Sequence, residues 1–261
     1  MPSILSFDDF STLENLYIDD AKKNKKVELQ KIDNFNQLYL LPIKRITNYA
    51  QINLEIQLYM LCHVNFYIGL SSLLRQHFAT TFNLLRVALD ACFAAYILLE
   101  GVGTDEQYRK RDDLFRNARR TILDQRKTDA NRFPKAIKLL KLHGRCSRAA
   151  SHADYTTLDT RMFFHRAFSA ESATMFGERL YFGIGENPQR FTASCWIFLL
   201  SHSLILNIFG DHLLTKNLLT HEEFTRLTQM SNNLVKKLRK VNVKEVRRDT
   251  SIKLLIDALL K

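Results

Sequence analysis

Apolar residues recur at helical spacing along most of the chain, and in two stretches they run almost without interruption. The first stretch, His77 to Gly101 (HFATTFNLLRVALDACFAAYILLEG), is long enough for a helix and ends at a glycine, a residue typical of helix C-termini. The second stretch runs from Phe191 to about Leu214. A helix that is apolar on all sides must be covered, so we expect both to be buried central helices of a bundle.

The remaining pattern predicts further helices on either side of these two. They cover about residues 45–76, 105–127 and 134–152, a segment that begins after Thr220, and about residues 243–260. The segment 45–76 runs into the first apolar stretch, so the two form either a hairpin or one kinked rod. Thr220 is a candidate N-cap, with Glu222 and Glu223 in the first turn that follows it. Residues 153–190 contain the glycine-rich TMFGERLYFGIGENP and predict a short strand pair or an ordered loop.

The chain has only 8 Gly and 4 Pro in 261 residues, too few turn formers for an all-β protein of this length. We therefore predict an all-α fold, a single helical bundle of about seven helices with long buried central helices. Residues 1–261 form one domain in this interpretation. Residues 1–45 are a polar lead-in that Pro42 closes with a turn, residues 46–152 form the core, and the C-terminal helices of 191–261 pack on it.

Positive charge is concentrated in one part of the chain. The whole sequence has 38 Lys and Arg against 27 Asp and Glu, a net charge of +11 that favours polyanionic partners. Residues 109–148 alone contain 14 basic and 4 acidic residues. A second cluster, KKLRKVNVKEVRR at 236–248, has seven basic residues and one glutamate.

The helix predicted after Pro134 carries its charged residues on one face. At 100° per residue, five side chains share an arc of about 80°: Lys138, Lys141, Arg145, Arg148 and His152. Such a stripe suits a phosphate backbone, which supplies most of the non-specific affinity for nucleic acid. The alternative is the solvated face of an ordinary amphipathic helix. No aromatic residues are interleaved with the stripe, so it does not predict a platform on which single-stranded bases stack.

Arg145 and His152 are the candidate catalytic residues. Six residues separate them, and on one helical face they could act together on RNA. His152 would move the proton of a ribose 2′-hydroxyl, and Arg145 would stabilise the charge that develops on the phosphate. This chemistry needs neither a metal nor another cofactor. The alternative is structural, with His152 capping a helix end or forming a hydrogen bond between helices.

Arg86 and Asp90 lie one turn apart in the middle of the first apolar stretch. The simplest interpretation is a buried structural ion pair, which could also reach His63 or Asn65 on a neighbouring helix. The functional interpretation places both residues beside His152, where Asp90 would orient the imidazole and Arg86 would hold an anion.

Two motifs carry a resemblance to known helical domains. LLRVALDA (84–91), followed some sixty residues later by CSRAASHADY (146–155), resembles a bacterial helical family of unknown function with an LLR-x-x-x-E/D helix and a later S-x-x-x-H segment. Here four residues lie between Ser147 and His152, and Arg148 stands where the family has serine. The pattern is also similar to HEPN-type domains, whose nuclease members carry R-x₄₋₆-H and act as dimers. The resemblance covers residues 45–155 at most. It implies an all-α bundle, a homodimer, and RNA cleavage or cellular defence as the function.

Other sequence features bear on location and partners. The four cysteines are scattered singly, without a Cys/His cluster at zinc spacing, which predicts no metal site and fits a reducing, cytoplasmic setting. The acidic N-terminal region lacks the pattern of a secretory signal. Residues 56–74 and 191–210 contain no charge and are long enough to span a bilayer, but their many polar side chains favour buried helices of a soluble bundle. We thus expect RNA as the partner, and as the alternative a non-catalytic module for protein interaction or oligomerisation.

Overall fold

The structure, a computed structural model, describes residues 7–150, 163–167, 176–180, 188–241 and 250–260. Helices dominate these residues and confirm the all-α class. The helices are α1 (Phe7–Asn24), α2 (Lys26–Lys44), α3 (Leu54–Leu74), α4 (Phe78–Leu99), α5 (Asp105–Arg109), α6 (Asp113–Arg116), α7 (Ala118–Thr128), α8 (Ala136–Ala150), α9 (Pro188–Thr215), α10 (His221–Lys240) and α11 (Thr250–Leu260). Seven of the described helices have fifteen or more residues. Between α8 and α9, an antiparallel pair joins β1 (Phe163–Ala167) to β2 (Phe176–Leu180), with Phe163 opposite Leu180.

Helices α3 and α4 form a hairpin, so the kinked-rod alternative is wrong. The chain reverses at Gln76, whose φ of 61° is in the left-handed region, and α4 then packs along α3. The thiol of Cys62 on α3 donates a hydrogen bond to the carbonyl of Ala88 on α4 (3.3 Å). Glu14 of α1 holds the turn from outside, with its carboxylate 3.0 Å from His77 Nε2.

Helix α9 is the central element of the bundle, as its apolar sequence predicts. It packs against α2, α3, α4, α8, α10 and α11. Two of its three buried serines donate hydrogen bonds within the helix: the Ser201 hydroxyl donates to the carbonyl of Ile197, and that of Ser203 to the carbonyl of Leu200. Where α9 crosses α3, a Cβ on Gly69 would lie 2.8 Å from the Phe198 ring. Only glycine therefore allows the two helices to approach this closely.

Three predicted boundaries are wrong. The first is the start of the helix predicted from about residue 45, which begins at Leu54. Residues 1–45 are more than a polar lead-in, because most of them fold into α1 and α2. Pro42 does not form the predicted turn, since it lies buried inside the last turns of α2. The charged segment 105–127 is not one helix but three. Arg111 adopts a φ of 54°, which ends α5, and the Asp112 carboxylate then caps α6 by accepting from the Leu114 amide.

Candidate nucleic-acid interface

Helix α8 has the two faces that its sequence predicts. On its inner face Leu139, Leu142 and Cys146 are completely buried, and they pack against α4 and α11. On its outer face Lys138 and Lys141 are exposed. The helix begins at Ala136, two residues after Pro134, because Phe133 turns the chain with a φ of 52°.

Three cations of the outer face have no acidic neighbour in the described part of the chain. No described carboxylate lies within ion-pair distance of Lys138, Lys141 or Arg145, and Arg145 is half-buried. Five other cations of segment 109–148 form ion pairs with nearby carboxylates: Lys110 with Glu106, Arg116 with Asp113, Arg120 and Lys127 with Asp124, and Arg132 with Glu100. Arg148 belongs to α8, but its side chain lies outside the described part. Lys138, Lys141 and Arg145 therefore carry unneutralised charge, as do the exposed Arg109 and Arg111, which have no described ion pair either.

Lys135 fixes the start of α8 and is not part of the stripe. Its ammonium lies 2.7 Å from the Asp211 carboxylate and 3.3 Å from the Asn207 carbonyl, both on α9. The guanidinium of Arg126 on α7 donates a hydrogen bond to the carbonyl of Arg132 (2.5 Å), which lies in the loop between α7 and α8. The buried central helix and the surface helix α7 thus both hold the cationic face in place.

Asp90 pairs with a histidine that sequence reasoning missed. Its carboxylate accepts a hydrogen bond from Nε2 of His143 on α8, at 2.8 Å, across 53 positions of sequence. The Asp90 side chain is 51% exposed, so the prediction of a buried ion pair inside α4 is wrong. The proposed contacts with His63 and Asn65 are wrong as well, since His63 bonds Asn36 and Asn65 donates to the Leu61 carbonyl.

Arg86 also faces α8. Burial raises the pKa of the Cys146 thiol, and the positive charge of Arg86 opposes that rise, which places the guanidinium near Cys146. Arg86 and Asp90 therefore share a face of α4, as their spacing predicts, and that face is the one against α8. No local sequence signal identifies His143 as the partner, because the pairing depends on how two distant helices dock.

The enclosure of His143 limits its chemistry. The side chain is 10% exposed, its Nδ1 is buried without a hydrogen-bond partner among the described residues, and its ring centroid lies 5.8 Å from that of Phe93. An acid or base must reach the proton that it transfers. A bound RNA strand would not reach the buried Nδ1, so His143 joins α4 to α8 and does not exchange protons with a ligand.

His152, the second candidate catalytic residue, lies outside the described residues, as do the rest of 151–162. The Arg145–His152 pair and the proximity of Arg86 and Asp90 to His152 therefore stay predictions. Of the predicted site, the structure brings together Lys138, Lys141 and Arg145 on one face of α8, with the Asp90–His143 pair on the α4 side of the same helix.

The other buried histidines belong to an aromatic cluster in the core. His202 on α9 is completely buried in contact with the rings of Phe66 and Phe198, and burial lowers its pKa to about 3. His63 on α3 is 4% exposed, and burial lowers its pKa to about 4. Both are neutral at physiological pH and are closed off from solvent.

The described residues contain no group of three or more His, Cys, Asp or Glu side chains that could hold a metal ion. The four cysteines are buried and free. Two helical segments, Phe78–Leu99 and Gln189–Thr215, are long and apolar enough to cross a membrane, but 67% and 89% of their most apolar windows are buried inside the bundle. They are core helices of the fold described above. Comparisons of the chain with protein-family models, with curated proteins and with solved structures find no match.

Proposed function

We propose that this helical bundle binds RNA through the outer face of α8. The observation that carries the proposal is the row of Lys138, Lys141 and Arg145, which have no described carboxylate partner and lie opposite a fully packed inner face. At 1.5 Å per residue the row is about 10 Å long. Phosphates of one strand in a duplex recur about every 3.4 Å along the axis, so about three of them fit beside the three cations.

The salt dependence of binding tests this proposal. Fluorescence anisotropy of a labelled RNA oligonucleotide, measured from 50 to 300 mM KCl, should show affinity that falls steeply with salt. The double variant Lys138→Gln/Lys141→Gln should reduce the slope of log K against log[salt] by about 1.4 to 1.8, because each lost phosphate contact contributes about 0.7 to 0.9.

The matched control is Lys110→Gln/Lys127→Gln, which removes the same charge from exposed lysines that already pair with Glu106 and Asp124. This control should leave the slope unchanged. An equal loss in both double variants would mean that net charge alone attracts RNA. The absence of binding at 50 mM KCl would reject the proposal.

Cleavage is an extension of the same proposal. In this extension Arg145 stabilises the phosphate and His152 moves the proton of the 2′-hydroxyl, without a metal or cofactor. The Oδ1 atom of Asp90 already contacts His143, so Asp90 acts by holding α4 against α8, and Arg86 keeps its expected role of holding an anion. A cytoplasmic location, a homodimer and the HEPN-like relationship belong to this proposal as expectations.

A second candidate function, protein interaction or self-association, is favoured by a row of apolar side chains on α3. Leu61, Val64, Tyr67 and Ile68 are between 43% and 50% exposed. Light scattering coupled to size-exclusion chromatography tests self-association through this row. Val64→Glu/Ile68→Glu should dissociate an oligomer, whereas Gln57→Glu, an exposed position on the same helix, should not. An oligomer that withstands both changes would not use this row.

A further inference from the structure

Helices α2 and α10 border a solvent-open cavity of about 250 Å³ that has no part in the RNA proposal. Its floor is apolar and includes Leu38 of α2 and Leu234 of α10, both almost completely buried. The lining residues of α10 recur at helical spacing from Arg226 to Lys237, so one face of this helix forms a wall about 16 Å long.

The polar lining of the cavity carries positive charge only. Lys31 from α2 and Arg226 and Lys237 from α10 line it, and no carboxylate does. Glu28, one turn before Lys31, is not a lining residue, and its carboxylate accepts a hydrogen bond from the Thr192 hydroxyl (2.7 Å). Three like charges around one cavity favour the binding of an anion there.

Amide side chains complete the lining. Asn34 on α2 and Gln229 and Asn233 on α10 each offer an N–H₂ group that can donate to an oxyanion and an oxygen that can accept from a hydroxyl. A cavity lined by cations and amides is suited to a ligand that presents several anionic oxygens.

Lys237 is ordered by the protein before any ligand arrives. Its ammonium lies 4.8 Å from the centroid of the Trp196 ring, and Trp196 is 4% exposed on the central helix α9. A cation held over an aromatic face loses less conformational freedom on binding than a lysine that moves freely in solvent.

We propose that this cavity binds a small molecule that contains a chain of two or three phosphates. Three cations match the charge of a diphosphate or triphosphate. The volume is below the roughly 300 to 1,000 Å³ of pockets that hold drug-sized ligands and is sufficient for a phosphate chain. The chain can be free or part of a nucleotide, since its recognition is the same in either case.

Isothermal titration calorimetry on the full chain at 150 mM KCl tests the proposal, with orthophosphate, tripolyphosphate, AMP and ATP as probes. Tripolyphosphate and ATP should bind at one site and more tightly than orthophosphate and AMP. ATP affinity equal to that of tripolyphosphate would assign the site to the phosphate chain, and tighter ATP binding would assign it to a nucleotide.

Substitutions locate the site. Lys31→Gln, Arg226→Gln and Lys237→Gln should each weaken tripolyphosphate binding by about tenfold, the effect of one lost charge-assisted hydrogen bond. Arg226→Lys keeps the charge and should retain more affinity than Arg226→Gln. Lys236→Gln is the matched control, because Lys236 is exposed on the same helix and does not line the cavity.

The α8 double variant Lys138→Gln/Lys141→Gln should bind tripolyphosphate as the wild type does, so this proposal and the RNA proposal can fail separately. Thermal denaturation of each variant shows that it is folded. Two results would overturn the proposal: no heat of binding with millimolar tripolyphosphate, or equal losses in Lys236→Gln and Lys237→Gln.

Discussion

Arg45 and Glu223 form a two-pronged ion pair that joins the C-terminus of α2 to the N-terminus of α10. Nη1 of Arg45 lies 2.6 Å from Oε2 of Glu223, and Nη2 lies 2.7 Å from Oε1. Glu223 also completes the capping box of α10, because its carboxylate accepts from the Thr220 amide while the Thr220 hydroxyl accepts from the Glu223 amide. These hydrogen bonds, that of Arg45 foremost, lower the pKa of Glu223 to about 2.

Glu223→Gln should destabilise the fold by about 2 kcal/mol at pH 7, a value reduced for the partial exposure of Arg45. The glutamine oxygen can still accept from the Thr220 amide, so the variant removes the ion pair and retains the cap. The pKa of Glu223 is lower in the folded state than its ordinary 4.5, so its contribution is complete above pH 4.5 and is lost as the pH falls towards 2.

Urea denaturation from pH 7 to pH 2.5 measures this effect, and the curves of variant and wild type should converge in acid. Glu222→Gln is the control, since Glu222 is exposed in the same helical turn. A constant difference at every pH would show that the pair contributes through packing and not through charge.

His202 should make the fold sensitive to mild acid. Neither ring nitrogen has a hydrogen-bond partner among the described residues, and the pKa is about 3, against 6.5 for an ordinary histidine. Below pH 6.5 the unfolded chain binds a proton at this position and the folded chain does not. Stability should therefore be complete above pH 6.5 and fall by about 1.4 kcal/mol per pH unit as the pH decreases. His63, with a pKa of about 4, should add a similar slope.

His202→Leu should reduce this dependence by about 1.4 kcal/mol per pH unit between pH 6.5 and 5, a window above the titration of Glu223. At pH 7.5 the variant should be at least as stable as the wild type, because a buried polar ring without partners is replaced by an apolar side chain. The free energy of unfolding against pH is the measurement, and His221→Gln, at an exposed histidine, is the control. An unchanged slope in His202→Leu would contradict the assignment.

Local signals in the sequence predict much of this fold. Thr220 with Glu223 three residues later identifies the start of α10, and the spacing of Leu139, Leu142 and Cys146 identifies the inner face of α8. The segments whose predicted structure is wrong have no such signal in the sequence. Arg111 takes a positive φ that sequence would assign to glycine or asparagine, so the break between α5 and α6 could not be predicted.

Contacts between residues that are distant in the sequence explain why the remaining predictions for the candidate site differ from the structure. Asp90 has a basic residue one turn before it on its own helix, and spacing alone favours that neighbour over His143, 53 residues away. The cavity between α2 and α10 is likewise lined from two helices almost 200 residues apart. The basic cluster at 236–248 indicates one wall of it through Lys237, but nothing in the sequence indicates that Lys31 lies opposite.

His152→Ala tests the catalytic extension. If His152 moves the proton of the 2′-hydroxyl, wild-type protein should cleave RNA in the presence of EDTA, and the variant should lose that activity by a factor of about 10² to 10⁴ while it still binds RNA. Gel analysis of labelled RNA alongside anisotropy separates cleavage from binding. His221→Ala should cleave as the wild type does. Wild-type binding without cleavage would leave an RNA-binding bundle in which His152 has a structural role.

Two helical glycines should respond in opposite directions to replacement by alanine. A Cβ on Gly210 of α9 would lie 2.3 Å from the Phe224 ring of α10, whereas a Cβ on Gly144 of α8 would meet only the Arg119 guanidinium at 3.9 Å. Gly210→Ala should therefore cost about 1 to 3 kcal/mol through overpacking. Gly144→Ala should gain about 0.5 to 1 kcal/mol, because alanine restricts the unfolded chain and favours the helix.

A double-mutant cycle with Phe224→Leu shows whether the α9–α10 contact causes the loss. Leucine removes the ring that the new Cβ would meet, so Gly210→Ala should cost less in the Phe224→Leu background than in the wild type. Chemical denaturation of the four proteins gives the coupling energy. An additive cycle would mean that the cost arises elsewhere on α9. A destabilising Gly144→Ala would mean that α8 approaches its neighbours more closely than its open glycine indicates.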